Sequence, residues 1–106
     1  MTNWWLLNYA EYERVDVIKR FLFTLYQIKD LAWHGDSVAQ SILIDITDAF
    51  NEAPLTNTQR EYLRLHIVGY EQKEMVIILQ RSKGTISEVV TRGCRRIINI
   101  LEKKPN

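Results

Sequence analysis

The fold of this chain is decided by residues 55–101, which run LTNTQREYLRLHIVGYEQKEMVIILQRSKGTISEVVTRGCRRIINIL. Apolar side chains recur through this stretch at spacings of three and four residues, and residues that favour turns interrupt the pattern at two points. Each piece between interruptions has an apolar side and a polar side, as an amphipathic helix does. The stretch therefore predicts three consecutive helices, of which the last is the longest.

The first two helices have recognisable start and stop signals. Thr56 and Gln59 have the spacing of a capping box, which predicts a helix over residues 57–68. Gly69 supplies the left-handed residue that commonly ends a helix. Residues 71–79 then predict a short second helix. Its predicted packing face consists of Met75, Ile78 and Leu79.

The third helix is predicted to follow a tight turn at Gln80-Arg81, with Ser82 as its N-cap. Its apolar stripe consists of Ile86, Val90, Gly93, Ile97, Ile100 and Leu101. Turning that stripe inward leaves an outer flank made of Lys83, Gly84, Ser87, Glu88, Thr91, Arg92 and Arg95. A short helix, a tight turn and a longer helix with a polar flank form a helix-turn-helix, whose second helix enters the DNA major groove.

The charge distribution favours the same end of the chain. The net charge of +1 combines −4 in residues 1–54 with +5 in residues 55–106. A basic surface of this kind suits the phosphates of DNA, although a solvated basic helix with no partner is the alternative. We assign phosphate contacts to the hydroxyl and basic side chains beside the outer flank: Arg81, Ser82, Thr85, Arg95 and Arg96. Glu88 has a second possible role, which is to brace Arg92 four residues later.

Residues 55–101 resemble region 4 of bacterial sigma factors and the related LuxR-type domain. The matching landmarks are Leu55-Thr56, Lys73-Glu74 and the SKGTI segment at 82–86, whereas Val76, Gln80 and Arg81 depart from the pattern. The resemblance implies a DNA-binding domain over residues 54–106. It implies that DNA is faced by Lys83, Gly84, Ser87, Glu88, Thr91 and Arg92, and that Gln72, Thr85 and Arg96 lie near phosphates. Small proteins with this domain behind a helical segment resemble phage-encoded transcription regulators.

Residues 1–53 are predicted to form a helical segment, so the expected fold class is all-α. One long helix is expected from Trp4 to Trp33, followed by a second that is capped by Asp36 or Ser37 and ends by Asn51. The packing face of this second helix is predicted to be Ala39, Ile42, Leu43, Ile46 and Phe50. The first helix is apolar over more than one stripe, which favours a homodimer; internal packing of the same residues is the alternative. The predicted dimer contacts are Trp4, Trp5, Tyr9, Tyr12, Phe23 and Tyr26.

Other chemistry finds little support in the sequence. Cys94 is the single cysteine and is expected in the core, which excludes an internal disulfide. His34 and His66 are expected to be ordinary helix-end or surface residues, without a metal. Asp45 and Asp48 predict a solvated acidic face or a docking surface, in preference to a metal site. No cofactor, signal peptide or membrane span is expected, and the predicted location is the cytoplasm, of a bacterial host if a phage encodes the chain.

The sequence leaves three functions open. The leading hypothesis is a sequence-specific transcription regulator that binds double-stranded DNA as a homodimer. The second is a protein that binds RNA polymerase or a sigma factor through its acidic first half, as a mimic of region 4. The third is a small terminase-like DNA-packaging subunit that assembles as a ring. An enzyme is the least expected class, because no nucleophile, base or metal set converges.

Overall fold

A computed structural model describes residues 11–103, with side chains from Arg14 onward, and this part of the chain contains six α-helices and no strand. The helices are α1 (Glu11–Phe23), α2 (Leu25–Trp33), α3 (Ser37–Glu52), α4 (Asn57–Val68), α5 (Gln72–Leu79) and α6 (Lys83–Lys103). The all-α fold class is therefore confirmed. The three helices predicted between residues 55 and 101 are α4, α5 and α6.

The predicted helix caps of α3 and α4 are present. Asp36 accepts a hydrogen bond from the backbone N–H of Ala39 at 2.9 Å, so Asp36, rather than Ser37, is the N-cap of α3. The capping box of α4 is complete. The backbone N–H of Gln59 donates to Thr56 Oγ1 at 3.0 Å, and the backbone N–H of Thr56 donates to Gln59 Oε1 at 3.1 Å. Gly69 ends α4 in the left-handed region, with φ of 111°. These local signals fix the bounds of both helices.

The prediction of one helix from Trp4 to Trp33 is wrong in its described part, because α1 ends at Phe23 and α2 begins at Leu25. The break is at Thr24, whose hydroxyl donates to the Arg20 carbonyl at 2.8 Å while its amide donates to the same carbonyl at 2.9 Å. A threonine hydroxyl bonded to the carbonyl four residues earlier bends a helix. The helix is interrupted there, and α2 packs along α3. Residues 4–10 lie outside the described residues.

One hydrophobic core joins the two segments that the sequence suggested. Fully buried side chains come from five helices: Leu22 of α1, Ile46 of α3, Leu63 of α4, Met75 of α5, and Ile86, Val90 and Ile97 of α6. α6 lies at the centre and packs against α1, α3, α4 and α5. Gly93 permits the close crossing with α4, because a Cβ there would lie 2.8 Å from Leu63 Cδ1. Residues on both sides of position 54 therefore stabilise the same core.

Helix α5 packs against the rest of the protein over less of its surface than the other helices do. Met75 is fully buried, as predicted, and Leu79 is half-buried. Ile78 is 50% exposed, so its predicted place on the packing face is wrong, and Ile77 is 78% exposed. The physical reason is that this eight-residue helix packs mainly against α6, which covers only a narrow strip of its surface.

His66 is buried, which corrects its expected place among helix-end or surface residues. It does lie in the last turn of α4, but only 8% of it is exposed, and its Nε2 lies 2.9 Å from the carbonyl oxygen of Lys19 in α1. A carbonyl can only accept, so Nε2 carries the proton, and the buried Nδ1 has no hydrogen-bond partner among the described residues. Burial lowers the pKa of His66 below its ordinary value of 6.5. His34, in contrast, is exposed at the end of α2.

Candidate nucleic-acid interface

The turn before α6 is built without glycine. Gln80 adopts the left-handed conformation with φ of 53° and ψ of 46°, which ends α5 and redirects the chain. Ser82 then caps α6, because its Oγ accepts from the Thr85 amide at 3.2 Å. The same hydroxyl donates to Thr85 Oγ1 at 2.9 Å. The predicted turn and N-cap are confirmed, and the two hydroxyls assigned to phosphates are bonded to each other in the free protein.

The outer flank of α6 is accessible over the described structure. Its exposed members are Lys83, Gly84, Glu88, Arg92 and Arg95, whereas Ser87 and Thr91 are half-buried. Nothing lies within 4 Å of the place where a Cβ on Gly84 would stand, so that backbone can be approached closely. On the opposite side, Ile86 and Val90 are fully buried. The first part of α6 is therefore anchored on one side and open on the other.

Glu88 and Arg92 form an ion pair on this flank. Glu88 Oε1 lies 2.5 Å from Arg92 Nη2, one helical turn along α6, and both side chains are largely exposed. Exposed pairs of this spacing stabilise a helix by only about 0.3–0.5 kcal/mol. Arg92 can therefore exchange the carboxylate for another partner at small cost. The structure brings together the two residues for which the sequence offered both a bracing role and a DNA-contacting role.

Arg96 points away from the outer flank. Its Nη1 donates to the Pro54 carbonyl at 2.5 Å and to Gln59 Oε1 at 3.1 Å, so the guanidinium joins α6 to the start of α4. A phosphate contact by Arg96 stays a prediction, and it has to compete with these two internal bonds. Among the other residues assigned to phosphates, Arg81 is exposed in the turn and Gln72 is half-buried at the start of α5.

A pocket between α1 and α6 was not anticipated from the sequence. It has a volume of about 300 Å³ and is lined by Arg14, Arg95, Ile98, Asn99 and Glu102. Arg14 Nη1 forms an ion pair with Glu102 Oε1, and 32% and 35% of these two side chains are exposed. The pairing joins residues far apart in the chain, so it depends on how α1 packs on α6. No local spacing or motif signals such a contact.

The residues predicted to form a dimer interface are described only in part. Phe23 and Tyr26 are exposed, and the ring of Phe23 lies 5.3 Å from that of His66. Tyr26 also lines a groove of about 390 Å³ with Leu25, Lys29, Leu43, Thr47 and Ile67. Trp4, Trp5 and Tyr9, together with the side chain of Tyr12, lie outside the described residues. The described part of the predicted interface is thus exposed and available for contact.

Other candidate sites contribute no chemistry to this surface. Within residues 11–103, no group of three or more His, Cys, Asp or Glu side chains is placed to hold a metal ion. Asp48 is exposed and Asp45 half-buried on α3. Cys94 is fully buried, as predicted, and burial raises the pKa of its thiol to about 12. None of the described helices combines the length and the apolar character that a membrane crossing requires.

Comparisons with known proteins leave the function to be argued from this geometry. No family model matches the chain. The curated proteins and the solved structures also contain no match to it.

Proposed function

We propose that this chain is a sequence-specific DNA-binding transcription regulator that places the first half of α6 in the major groove. The observation that carries the proposal is the accessibility of the outer flank: Lys83, Glu88 and Arg92 are exposed. Ile86 and Val90, on the opposite side of the same turns, are fully buried. A helix used for base readout must be held firmly by the body and stay open on the side that meets the bases.

The residue types on the outer flank suit base readout. An arginine can donate two hydrogen bonds to the O6 and N7 atoms of guanine, and a glutamate can accept from the N4 amine of cytosine. Arg92 and Glu88 lie one turn apart on the exposed side of α6, within hydrogen-bonding distance of each other. Ser87 and Thr91 are smaller and half-buried, which suits close van der Waals contact with a base edge.

The electrostatic balance supports attachment to the DNA backbone. Residues 55–106 have a net charge of +5, and α6 with its preceding turn carries Arg81, Lys83, Arg92, Arg95, Arg96 and Lys103. All of these cations except Arg96 are exposed, and exposed cations displace counterions from the phosphates that they approach, so the affinity should fall steeply with added salt. The proposal includes a homodimer on two half-sites, acting in the cytoplasm of a bacterium, with the gene carried by a phage.

The test begins with selection of bound duplexes from randomised DNA by the full chain. Affinities of wild type, Arg92→Ala and Arg20→Ala are then measured on the selected duplex and on a scrambled duplex of equal length. Arg20 is the matched control, because it too is exposed and pairs with an acidic residue four positions earlier, Asp16. Arg92→Ala should weaken binding to the selected duplex about 10- to 100-fold and to the scrambled duplex much less.

Two results would remove the proposal. One is a selection that enriches no sequence, since the chain would then have no sequence preference. The other is an equal effect of Arg92→Ala and Arg20→Ala on the selected duplex, since the outer flank would then make no specific contact.

Exposed apolar side chains favour a protein partner as the second candidate function. Trp33 is 87% exposed at the end of α2, and Val38 and Ile44 are exposed on α3; none of the three belongs to the outer flank of α6. Large exposed apolar side chains are common at protein interfaces. The candidate partner is RNA polymerase. Retention of purified polymerase by wild type but not by Trp33→Ser, in the presence of nuclease, is the result that supports this function.

A further inference from the structure

We infer that α1 supplies a second phosphate-binding site to the DNA interface, formed by Arg14 together with Arg95 in the pocket between α1 and α6. This inference rests on the proposed function, because the ligand is a backbone phosphate of the duplex that α6 enters. Arg14 belongs to the N-terminal segment, outside the helix-turn-helix. The footprint on DNA would then include both segments of the chain.

The pocket continues the outer flank of α6. Glu88, Arg92, Arg95 and Asn99 follow one another at spacings of three and four residues, so they form one row along the helix. Glu88, Arg92, Arg95 and Asn99 are exposed. Arg95 and Asn99 also line the pocket with Arg14. The row that begins beside the bases therefore ends at a pocket with two guanidinium groups.

The length of α6 places this pocket at the edge of the groove. Its 21 residues span about 31 Å at 1.5 Å per residue, whereas the major groove is about 12 Å wide. A straight helix of this length cannot follow the curved groove, so when the first turns of α6 occupy the groove, the second half of the helix lies outside it. The second half then lies close to a phosphate backbone, and the side chains on the same row face that backbone. Arg95 and Arg14 are the cations at that level of the row.

Glu102 holds the place of the phosphate in the free protein. Its carboxylate pairs with Arg14, and both side chains are about one-third exposed, so solvent and a phosphate can reach the pair. A phosphate oxygen can replace the carboxylate as the acceptor for the guanidinium, whereas the negative charge of Glu102 opposes its arrival. The two partners of one ion pair should therefore affect DNA affinity in opposite directions.

The experiment uses a random-sequence duplex, so it requires no knowledge of the operator. Affinity is measured across a salt series for wild type, Arg14→Gln and Glu102→Gln, with Arg20→Gln and Asp16→Asn as matched controls. The controls change the same charges on an exposed ion pair of α1. Arg14→Gln should weaken binding several-fold and reduce the salt slope by about one, and Glu102→Gln should strengthen binding about two- to fivefold. Each control variant changes the net charge by the same amount as its test variant, and its affinity should stay within about twofold of wild type.

A purely structural role for the ion pair gives a different result. Arg14→Gln and Glu102→Gln break the same contact between α1 and α6, so a loss of folding alone would weaken DNA binding in both. Equal effects of Arg14→Gln and Arg20→Gln overturn the inference while leaving the role of α6 intact. Failure of the wild type to bind any duplex removes the proposed function itself. Inorganic phosphate, titrated at constant ionic strength, tests whether the pocket binds a free anion rather than DNA. The inference is also overturned if phosphate binding depends on Arg14 while Arg14→Gln leaves the DNA affinity unchanged.

Discussion

The two sides of α6 have opposite chemistry over the same turns. On the inner side, Ile86, Val90 and Ile97 are fully buried against the other helices. On the outer side, Glu88 and Arg92 are exposed and contact each other. Burying a large apolar side chain contributes about 1.5–3 kcal/mol, whereas an exposed ion pair contributes a few tenths of a kcal/mol. The inner side therefore maintains the fold, and the outer side can serve a partner without weakening it.

The largest effect should come from the inner side. Ile97→Ala removes three carbons from a fully buried position between α6 and the rest of the core. The free energy of unfolding should fall by about 2–5 kcal/mol, because the surrounding helices cannot close the cavity fully. Urea denaturation followed by circular dichroism measures the loss.

Ile77→Ala is the matched control for this prediction. It makes the same substitution in a helix of the same protein, at a position that is 78% exposed. The free energy of unfolding should change by less than about 0.5 kcal/mol. Similar losses in Ile77→Ala and Ile97→Ala would mean that α5 is covered in solution and that the contrast between buried and exposed positions does not hold.

Local signals explain why some of this fold was predictable from the sequence. The cap of α4 needs only Thr56 and Gln59, and its stop needs only Gly69, so a few neighbouring residues determine those bounds. The inner stripe of α6 follows from apolar spacing within one helix. The outer flank consists of the α6 residues that face outward when that stripe turns inward, so the sequence of this one helix is enough to predict it.

Tertiary contacts explain what was missed. The helix break at Thr24 separates α2 from α1, and α2 packs on α3, a contact that the apolar spacing within the first predicted helix does not indicate. His66 is buried because α1 lies over the last turn of α4. The Arg14–Glu102 pair in the candidate site likewise depends on where α1 meets α6. The burial of His66 and the Arg14–Glu102 pair both involve contacts between residues distant in the chain, for which a single sequence carries no periodic signal.

A smaller effect should appear in the pH dependence of the free energy of unfolding, through the buried side chain of His66. Burial lowers the pKa of His66 below 6.5, and the charge of Lys19 acts in the same direction, whereas the bond to the Lys19 carbonyl opposes both. The unfolded chain therefore takes up the proton more readily than the folded protein. Stability from this group is complete above about pH 6.5 and declines as the pH falls toward the lowered pKa, by at most about 1.4 kcal/mol per pH unit.

Urea denaturation at pH 7.5 and pH 5.5 measures this loss in wild type and in His66→Gln. The amide of glutamine can still donate to the Lys19 carbonyl but does not titrate, so the variant should lose less stability between the two pH values. Equal losses would show that α1 moves away from α4 in solution and exposes His66, which would contradict the burial of this side chain.

The smallest effect should come from the outer side, through Glu88→Gln. This change removes the carboxylate that pairs with Arg92, so affinity for a random duplex should rise about two- to threefold while the free energy of unfolding changes by less than about 0.5 kcal/mol. Discrimination in favour of the selected duplex should decrease, because glutamine lacks the negative charge with which Glu88 would accept a hydrogen bond from cytosine. Fluorescence anisotropy with labelled duplexes measures both. Asp16→Asn removes the same charge from the exposed Arg20 pair on α1, and an equal gain in that variant would mean that net charge, and not the position of Glu88 on α6, controls the affinity.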